Sequence, residues 1–250
     1  MSAPLLTLAG VHTHIGPYHI LQGVDLQVPR GQLTMLLGRN GAGKSTTLRT
    51  IMGLWRASAG AIGFAGASLR GVGTADIAAR GIAYVPENMG IFSDLTVREN
   101  MLLAARSGPM DGARLEWIFT LFPSLKQFWD KPAGKLSGGQ KQMVAIGRAL
   151  VEPRQLYMFD EPSKGLAPVM VNSMVAALRA LKEQGATVLL VEQNLAVAQA
   201  LGDSVAVMDA GRVIHHGAMA QLAADTDLQQ RLLGLHLAAA PAPAPAGEGA

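Results

Sequence analysis

The sequence predicts an α/β fold in which helices cover a mainly parallel β-sheet. Short and almost wholly apolar runs are typical of strands buried on both faces of such a sheet, and they occupy residues 33–37, 82–85, 156–159 and 187–191. Helical patterns follow several of these runs, at residues 44–53, 168–184 and 195–201. Strands that alternate with helices in this way form a sheet that binds ligands at the carboxyl ends of its strands.

Antiparallel strands are predicted near both ends of the chain. Residues 5–8 and 24–28 have the composition of strands, which indicates an antiparallel β subdomain at the N-terminus. Residues 204–208 and 212–216 flank a turn that contains Gly211, and they form a second predicted hairpin. Before this hairpin, Asn194 is a suitable N-cap for the helix at 195–201.

A helical subdomain is predicted as an insertion in the sheet. Residues from about 89 to 147 have helical patterns and no convincing buried strand. We therefore expect one domain over residues 1–237, with this subdomain inside it. Residues 238–250 contain only Ala, Pro, Gly and one Glu. Such a segment cannot bury enough apolar surface to offset its ordering entropy, so a disordered tail is predicted.

The composition limits the classes of function. The chain has 250 residues, of which 49% are hydrophobic, and a net charge of +3. Its lysines and arginines are scattered among acidic residues, so nucleic acid is not an expected partner. The absence of cysteine excludes disulfides and thiolate metal sites. No apolar run reaches the ~18 residues of a membrane span, so we expect a cytoplasmic protein that meets a membrane through a partner.

A glycine-rich segment between the strand at 33–37 and the helix at 44–53 matches the phosphate-binding motif G-x-x-x-x-G-K-S. Its glycines let backbone N–H groups surround phosphates, and the helix N-terminus adds partial positive charge. Lys44 supplies a full charge for the outer phosphates, and Ser45 is expected to ligate Mg²⁺. The predicted nucleotide-binding residues are Gly38, Arg39, Asn40, Gly41, Ala42, Gly43, Lys44, Ser45 and Thr46.

Two adjacent carboxylates, Asp160 and Glu161, follow the apolar strand at 156–159. Neighbouring residues of a strand point to opposite sides, so the two acids can face different targets. Asp160 is suited to hold the Mg²⁺ shell. Glu161 is suited to orient and deprotonate the water that attacks the γ-phosphate of ATP.

A second glycine-rich motif lies immediately before the predicted helix at 141–150. Its residues are Leu136, Ser137, Gly138, Gly139 and Gln140. A helix N-terminus is a second anion site, but one γ-phosphate cannot usually occupy two such sites in one chain when each belongs to a different lobe. The pair of motifs therefore predicts a head-to-tail dimer, in which each ATP lies between the first motif of one subunit and the second motif of the other.

From about residue 6 to residue 235 the chain resembles the ATP-binding subunits of ABC transporters. The motifs at 38–45, 136–140 and 157–162 occur in the expected order and spacing. Finer features are similar to those of the ATPases of branched-chain amino-acid importers, and they lie at residues 85–87, 145–150, 163–168 and 191–194.

The resemblance implies the role of an ATP-hydrolysing subunit with ATP and Mg²⁺ as cofactors. It also implies a second ATPase subunit, identical or similar, and two integral-membrane permease subunits fed by a solute-binding protein. The expected location is the cytoplasmic face of the inner membrane, where the subunit is peripheral. The segment with Met89 and Phe92 would contact a cytoplasmic helix of the permease; ordinary packing between the lobes is the alternative for these two side chains.

Three residues depart from the wider ABC pattern and agree with the branch that the chain resembles. Glu87 replaces a glutamine that contacts Mg²⁺, and as a carboxylate it could still approach the metal. Gln193 replaces a histidine that senses the γ-phosphate, and it can donate a hydrogen bond but carries no charge. Ala167 replaces an aspartate that communicates across the dimer. The resemblance thus predicts Gln193 as a catalytic residue beside Glu161, and Glu87 as a metal ligand beside Ser45 and Asp160.

The adenine contact and the transported substrate leave alternatives open. Relatives usually stack an aromatic residue on adenine where this chain has Ile15, so either Tyr18 stacks on the base or the base packs on Ile15. Importers of urea, amides or aromatic acids use similar ATPases. A soluble ABC ATPase of translation or DNA repair is a remote alternative, because such proteins usually have two cassettes or a coiled-coil insertion.

Overall fold

The computed structural model describes residues 3–106 and 108–234, which form two β-sheets and ten α-helices. The tail predicted at 238–250 lies outside these residues. The strands are β1 (Leu6–Ile15), β2 (Tyr18–Val28), β3 (Leu33–Gly38), β4 (Ala57–Phe64), β5 (Ala67–Ser68), β6 (Ile82–Val85), β7 (Leu156–Asp160), β8 (Thr187–Val191), β9 (Ser204–Asp209) and β10 (Arg212–Ala218).

The helices cover the sheets and connect their strands. They are α1 (Lys44–Ile51), α2 (Thr74–Ala79), α3 (Val97–Leu102), α4 (Gly112–Leu121), α5 (Pro123–Gln127), α6 (Gly138–Leu150), α7 (Pro168–Glu183), α8 (Leu195–Leu201), α9 (Met219–Ala224) and α10 (Thr226–Leu233). Asn194 caps α8 as predicted, because its side chain accepts hydrogen bonds from the next turn. Among the described residues, no helix is both long enough and apolar enough to cross a bilayer.

The larger sheet has six strands in the order β10-β9-β3-β8-β7-β6. All neighbours from β9 to β6 are parallel, and only β10 pairs in the antiparallel direction. Every residue of β3, β7 and β8 is buried, as expected for central strands that helices cover on the outside. The predicted mainly parallel sheet and the late hairpin are thereby confirmed.

The smaller sheet is antiparallel, with the order β2-β1-β4-β5. The predicted N-terminal pair is confirmed, since Leu8 lies opposite Leu26. Both strands extend further than the sequence predicted, and β4 and β5 were not predicted. Buried side chains of this sheet, of α1 and of one face of the larger sheet form one apolar core; the helices on the other face form a second core.

The chain between β6 and β7 is helical. It contains α3, α4, α5 and α6, and in its described part it contributes no strand to either sheet. The last of these helices begins three residues earlier than predicted, at Gly138, because Ser137 serves as its N-cap. The second glycine-rich motif is therefore largely the first turn of α6 and not a segment in front of it.

Candidate functional site

The loop from Arg39 to Gly43 joins β3 to α1 and forms the floor of the candidate site. Its flanking glycines have left-handed or otherwise positive φ, with Gly38 at +147° and Gly43 at +104°. A Cβ atom on Gly38 would lie 2.2 Å from the carbonyl oxygen of Met208, so a side chain at this position cannot be accommodated. The backbone N–H groups of the first turn of α1 have no partner within their own helix and are free for an anion.

Lys44 is the first residue of α1, and its side chain is folded back under the loop. Its Nζ donates to the carbonyl oxygens of Gly38 at 2.8 Å and Arg39 at 3.1 Å. The same ammonium lies 3.4 Å from Oε1 of Glu161, and both side chains are more than 90% buried. The charge of Lys44 is thus held at a fixed place between the loop and the end of β7.

Ser45 and Asp160 are in direct contact although they are far apart in sequence. The Ser45 hydroxyl donates to Oδ1 of Asp160 at 2.8 Å, and the Tyr84 hydroxyl donates to Oδ2 at 3.3 Å. Burial raises the pKa of Asp160, while the hydrogen bond from Ser45 and the charge of Arg49 act in the opposite direction. Burial and the Asp160 charge raise the pKa of Tyr84 to about 12.

Glu161 and Gln193, the two predicted catalytic residues, also meet. The amide Nε2 of Gln193 donates to Oε1 of Glu161 at 2.6 Å. The prediction that Asp160 and Glu161 alternate along a strand is wrong in detail, because β7 ends at Asp160 and Glu161 has a φ of +49°. The left-handed backbone, and not strand alternation, turns the Glu161 carboxylate towards Lys44.

Glu87 lies opposite Glu161, and Lys164 lies between them. The Nζ atom of Lys164 is 2.6 Å from Oε1 of Glu87 and 3.6 Å from Oε2 of Glu161. The contact with Glu87 raises the pKa of Lys164. Sequence reasoning did not assign Lys164 to the site, although its place three residues after Glu161 was a signal for it.

Five of these residues, Lys44, Ser45, Glu87, Glu161 and Lys164, line one open pocket of about 310 Å³. Its lining consists of Ile20, Asn40, Gly41, Gly43, Lys44, Ser45, Thr46, Glu87, Glu161 and Lys164. Neither Ile15 nor Tyr18, both of which the structure describes, is part of this lining, and Tyr18 is 70% exposed at the β1–β2 turn. Ile20, which was not predicted from the sequence, is the large apolar residue of this lining.

The second glycine-rich motif lies elsewhere in the chain. The Ser137 hydroxyl accepts from the Gln140 N–H, and Oε1 of Gln140 accepts from the Ser137 N–H at 2.9 Å, which is a capping box. A Cβ atom on Gly139 would lie 2.7 Å from Cε of Met170 at the start of α7. All five motif residues are described, and none of them lines the pocket beside Lys44.

A buried carboxylate behind the pocket was also missed. Glu192 follows β8 directly and is only 2% exposed. Burial raises its pKa, and hydrogen bonds from the Ser163, Asn194 and Gln193 groups oppose that effect. In the sequence Glu192 stands out only as part of the pattern at 191–194, because nothing there shows that its side chain turns inward.

Comparisons with known proteins agree on one family. The family model described as "ABC transporter" matches residues 21–164. The chain is 38% identical to the high-affinity branched-chain amino acid transport ATP-binding protein BraG of Pseudomonas aeruginosa, over 92% of this chain and 100% of BraG. It is 32% identical to the "Probable branched-chain amino acid transport ATP-binding protein LivF" of Archaeoglobus fulgidus, over 87% of this chain and 93% of LivF.

A solved structure has the same architecture. It is described as the structure of an ATP binding subunit of an ABC transporter, and it is 32% identical to this chain with a TM-score of 0.76. The similarity covers 90% of this chain and 94% of the solved one.

Proposed function

The chain belongs to the ABC transporter family, and from this premise we propose that it is the ATP-hydrolysing subunit of an importer for branched-chain or related amino acids. The observation that carries the proposal is the convergence of Lys44, Ser45 and Glu161 on one pocket, with Asp160 bonded to Ser45 and Gln193 bonded to Glu161. These residues come from the ends of β3, β7 and β8, where an α/β sheet binds its ligand.

ATP fits the charge and shape of this site. The free N–H groups of the loop and of α1, together with Lys44, provide the positive field that the β- and γ-phosphates need. Ser45 and Asp160 offer the hydroxyl and carboxylate oxygens that Mg²⁺ prefers, and Glu87 lines the same pocket as Ser45. When bound, Mg²⁺ neutralises the charge that develops on the phosphates.

Glu161 is the general base of hydrolysis, and Gln193 supports it. Oε1 of Glu161 is held by both the Gln193 amide and the Lys44 ammonium, and Oε2 lies 3.6 Å from Nζ of Lys164. In this position it can accept a proton from a water molecule that faces the γ-phosphate. Gln193 is a neutral donor, so it can orient Glu161 or the phosphate without adding charge.

A second ATPase subunit completes the site. The capped N-terminus of α6 is an anion site that does not line the pocket of its own chain. A head-to-tail dimer, of two copies or of this chain with a similar subunit, would place Ser137 and Gly139 of one subunit over the ATP of the other. ATP then closes the dimer and hydrolysis reopens it.

Permease subunits are the proposed partners at the helical part of the chain, which we assign to a subdomain at about residues 89–147. The apolar side chains of Phe92, Leu102 and Leu103 are each at least half exposed there. Arg148 of α6 donates to the carbonyl oxygen of Gly90 at 2.6 Å and lies over the Phe92 ring. Arg148 thereby connects the helix that begins at Ser137 with the proposed permease contact.

The assignment to amino-acid import follows from the relatives and from the location that a permease imposes. Both named relatives are branched-chain amino acid transport ATP-binding proteins. We propose that the chain works at the cytoplasmic face of the inner membrane, on permeases that receive their solute from a binding protein. Uptake of labelled leucine into vesicles that contain both permeases, this subunit and the binding protein tests the assignment; uptake of urea in its place would contradict it.

The test of the catalytic proposal is the substitution Glu161→Gln in the full chain. The amide cannot accept the proton from water, so turnover should fall by about 10²–10⁴-fold. ATP binding should persist and a closed dimer should accumulate, as size-exclusion chromatography with ATP and Mg²⁺ would show. Glu183→Gln, on the exposed end of α7, is the matched control and should hydrolyse ATP at the wild-type rate. Normal turnover in Glu161→Gln would remove Glu161 from its role.

A further inference from the structure

The carboxylate of Glu192 accepts four hydrogen bonds in the interior of the protein. Its Oε1 accepts from the backbone N–H of Ser163 at 3.0 Å, and its Oε2 accepts from the Ser163 hydroxyl at 2.8 Å. Oε2 also accepts from the backbone N–H groups of Gln193 at 3.2 Å and Asn194 at 3.4 Å. All four partners are donors, which is the environment of an acceptor-only carboxylate.

These four bonds tie two loops together. Ser163 lies in the loop that follows β7, two residues after Glu161, whereas Gln193 and Asn194 lie in the loop that follows β8. The strands themselves pair only as far as Asp160 and Val191, with one further bond from the Glu161 N–H to the Val191 carbonyl oxygen. Beyond that point two side chains connect the loops: Glu192, through Ser163, and Gln193, through Glu161.

The two catalytic side chains depend on that connection for their contact. Glu161 lies two residues before Ser163, and Gln193 comes directly after Glu192. The Gln193 amide donates a 2.6 Å hydrogen bond to Glu161, which joins the two loops at a second point. A bond of this length is sensitive to small displacements of either loop. Glu192 does not line the pocket beside Lys44 and Ser45; with Gln193 it lines a neighbouring cavity of about 240 Å³ at the other side of Asn40. The groups that bond to its carboxylate belong to the two loops after β7 and β8 and not to the phosphate loop.

We propose that Glu192 is a positioning residue for ATP hydrolysis, which fixes the loops after β7 and β8 so that Gln193 holds Glu161 in its reactive place. The inference rests on the proposed function of the site. A positioning role accounts for a buried carboxylate at this point. An uncompensated charge in the interior is costly, and the four directed hydrogen bonds that offset this cost are the same bonds that fix the two loops.

The substitution Glu192→Gln separates positioning from general stability. The amide has nearly the same volume, but its NH₂ group cannot accept a hydrogen bond. It faces the backbone N–H of Ser163 if it replaces Oε1, or those of Gln193 and Asn194 if it replaces Oε2, so the bonding to one loop is weakened. We expect kcat to fall by about 10- to 100-fold, as small misplacements of reacting groups do. The Kd for ATP should stay within about twofold, because the phosphate-binding loop is unchanged.

A double-substitution experiment gives a result that a merely structural residue would not. In the Gln193→Ala background the proposed route to Glu161 is already broken, so adding Glu192→Gln should change kcat by less than about twofold. Independent, multiplicative losses of kcat in the double variant would overturn the proposal. Glu183→Gln, the same change at an exposed position, serves as the control and should leave all parameters at wild-type values.

Ser163→Ala decides the question if Glu192→Gln does not fold. It deletes only the 2.8 Å hydroxyl bond and keeps the buried charge and the backbone bonds. A loss of kcat with unchanged ATP affinity supports the proposal, and an unchanged kcat contradicts it. Failure of the proposed function has a separate signature, because wild-type chain assembled with its permeases would then show no ATP turnover, whereas failure of this inference leaves wild-type turnover intact.

Discussion

At the scale of a residue, Asp160 shows that a carboxylate suited to hold a metal can lower the stability of the folded chain when it is buried and ionised. Its side chain is 1% exposed, and its partners are two hydroxyl groups, those of Ser45 and Tyr84. Neither partner is charged, and burial raises the pKa of Asp160 although the nearby charge of Arg49 opposes this effect. In the absence of a cation, the ionised form destabilises the folded chain.

We predict that Asp160→Asn stabilises the nucleotide-free protein while it abolishes Mg²⁺-dependent hydrolysis. The amide can accept from Ser45 and donate to Tyr84 without a charge, so the free energy of unfolding should rise by about 1 kcal/mol at pH 7. Because the folded pKa lies above the unfolded one, the wild-type carboxylate takes up a proton as the pH falls, and the difference should shrink towards pH of about 4. Urea titrations of both proteins at several pH values measure it; a gain that grows on acidification would contradict the reasoning.

The residues that carry a motif were predictable from the sequence, and those that only support it were not. Lys44, Ser45 and Asp160 were found because phosphate and metal chemistry demand their types at a fixed spacing, and the structure brings them together. Lys164 and Glu192 act through contacts between loops that are far apart in sequence. The spacing of Lys164 from Glu161 hints at one contact, but no local pattern reports the bonds to Glu87 or between Glu192 and Ser163, which become visible only in three dimensions.

At the scale of elements, the start of α3 shows how side chains replace missing backbone bonds. Thr96 and Glu99 form a capping box, and the hydrogen bonds from Thr96 lower the pKa of Glu99. Asn100 is fully buried and donates to the carbonyl oxygens of Phe92, Leu95 and Thr96, while its Oδ1 accepts from the Phe92 N–H. One amide therefore fixes the whole turn that presents Phe92 to the proposed permease.

The substitution Asn100→Leu should destabilise the chain by at least about 2 kcal/mol, because it leaves buried backbone groups of that turn without partners. ATP affinity should remain at its wild-type value, since the turn is not part of the P-loop pocket. Thermal or urea unfolding gives the first quantity and nucleotide titration the second. Asn172→Leu, on the exposed face of α7, is the matched control and should change stability by less than about 0.5 kcal/mol.

Elements with strong local signals were the predictable ones. The Asn194 cap and the apolar run of β8 specify their positions within a residue or two. By contrast, the first half of β4 is exposed and built of small residues, which have weak strand propensity. That strand forms because it pairs with β1, where Ala9 lies opposite Ala61. Pairing with a strand that is distant in sequence cannot be predicted from the local residues.

At the scale of the whole molecule, Gly211 joins the two sheets to the nucleotide loop. Its N–H donates to the carbonyl oxygen of Ala42 in the loop, and its own carbonyl oxygen accepts from the Gln22 N–H of β2. A Cβ atom at this position would lie 2.1 Å from the carbonyl oxygen of Ile20, and φ is +77°. Three separate parts of the chain can approach one another here only around a residue without a side chain.

We therefore predict that Gly211→Ala lowers the free energy of unfolding by about 2–4 kcal/mol and weakens ATP binding. The backbone of Ala is strained at this positive φ, and its Cβ collides with the Ile20 carbonyl oxygen, so β2 and the loop are pushed apart. Gly66→Ala is a close control: its φ of +81° is similar, but its Cβ meets nothing within 4 Å. That control should lose only about 1–2 kcal/mol and bind ATP normally. Equal losses in the two variants, measured by urea unfolding and ATP titration, would show that contact with Ile20 is unimportant.

The strand order of the larger sheet also has a consequence for synthesis of the chain. The strand that carries the phosphate loop, β3, has β8 and β9 as its neighbours, and Leu33 pairs beside Val188. A ribosome that adds about 5–20 residues per second needs roughly 8–30 seconds to supply the first partner. Throughout that interval an apolar strand remains unpaired, so the growing polypeptide is a natural client for chaperones until its last third has emerged.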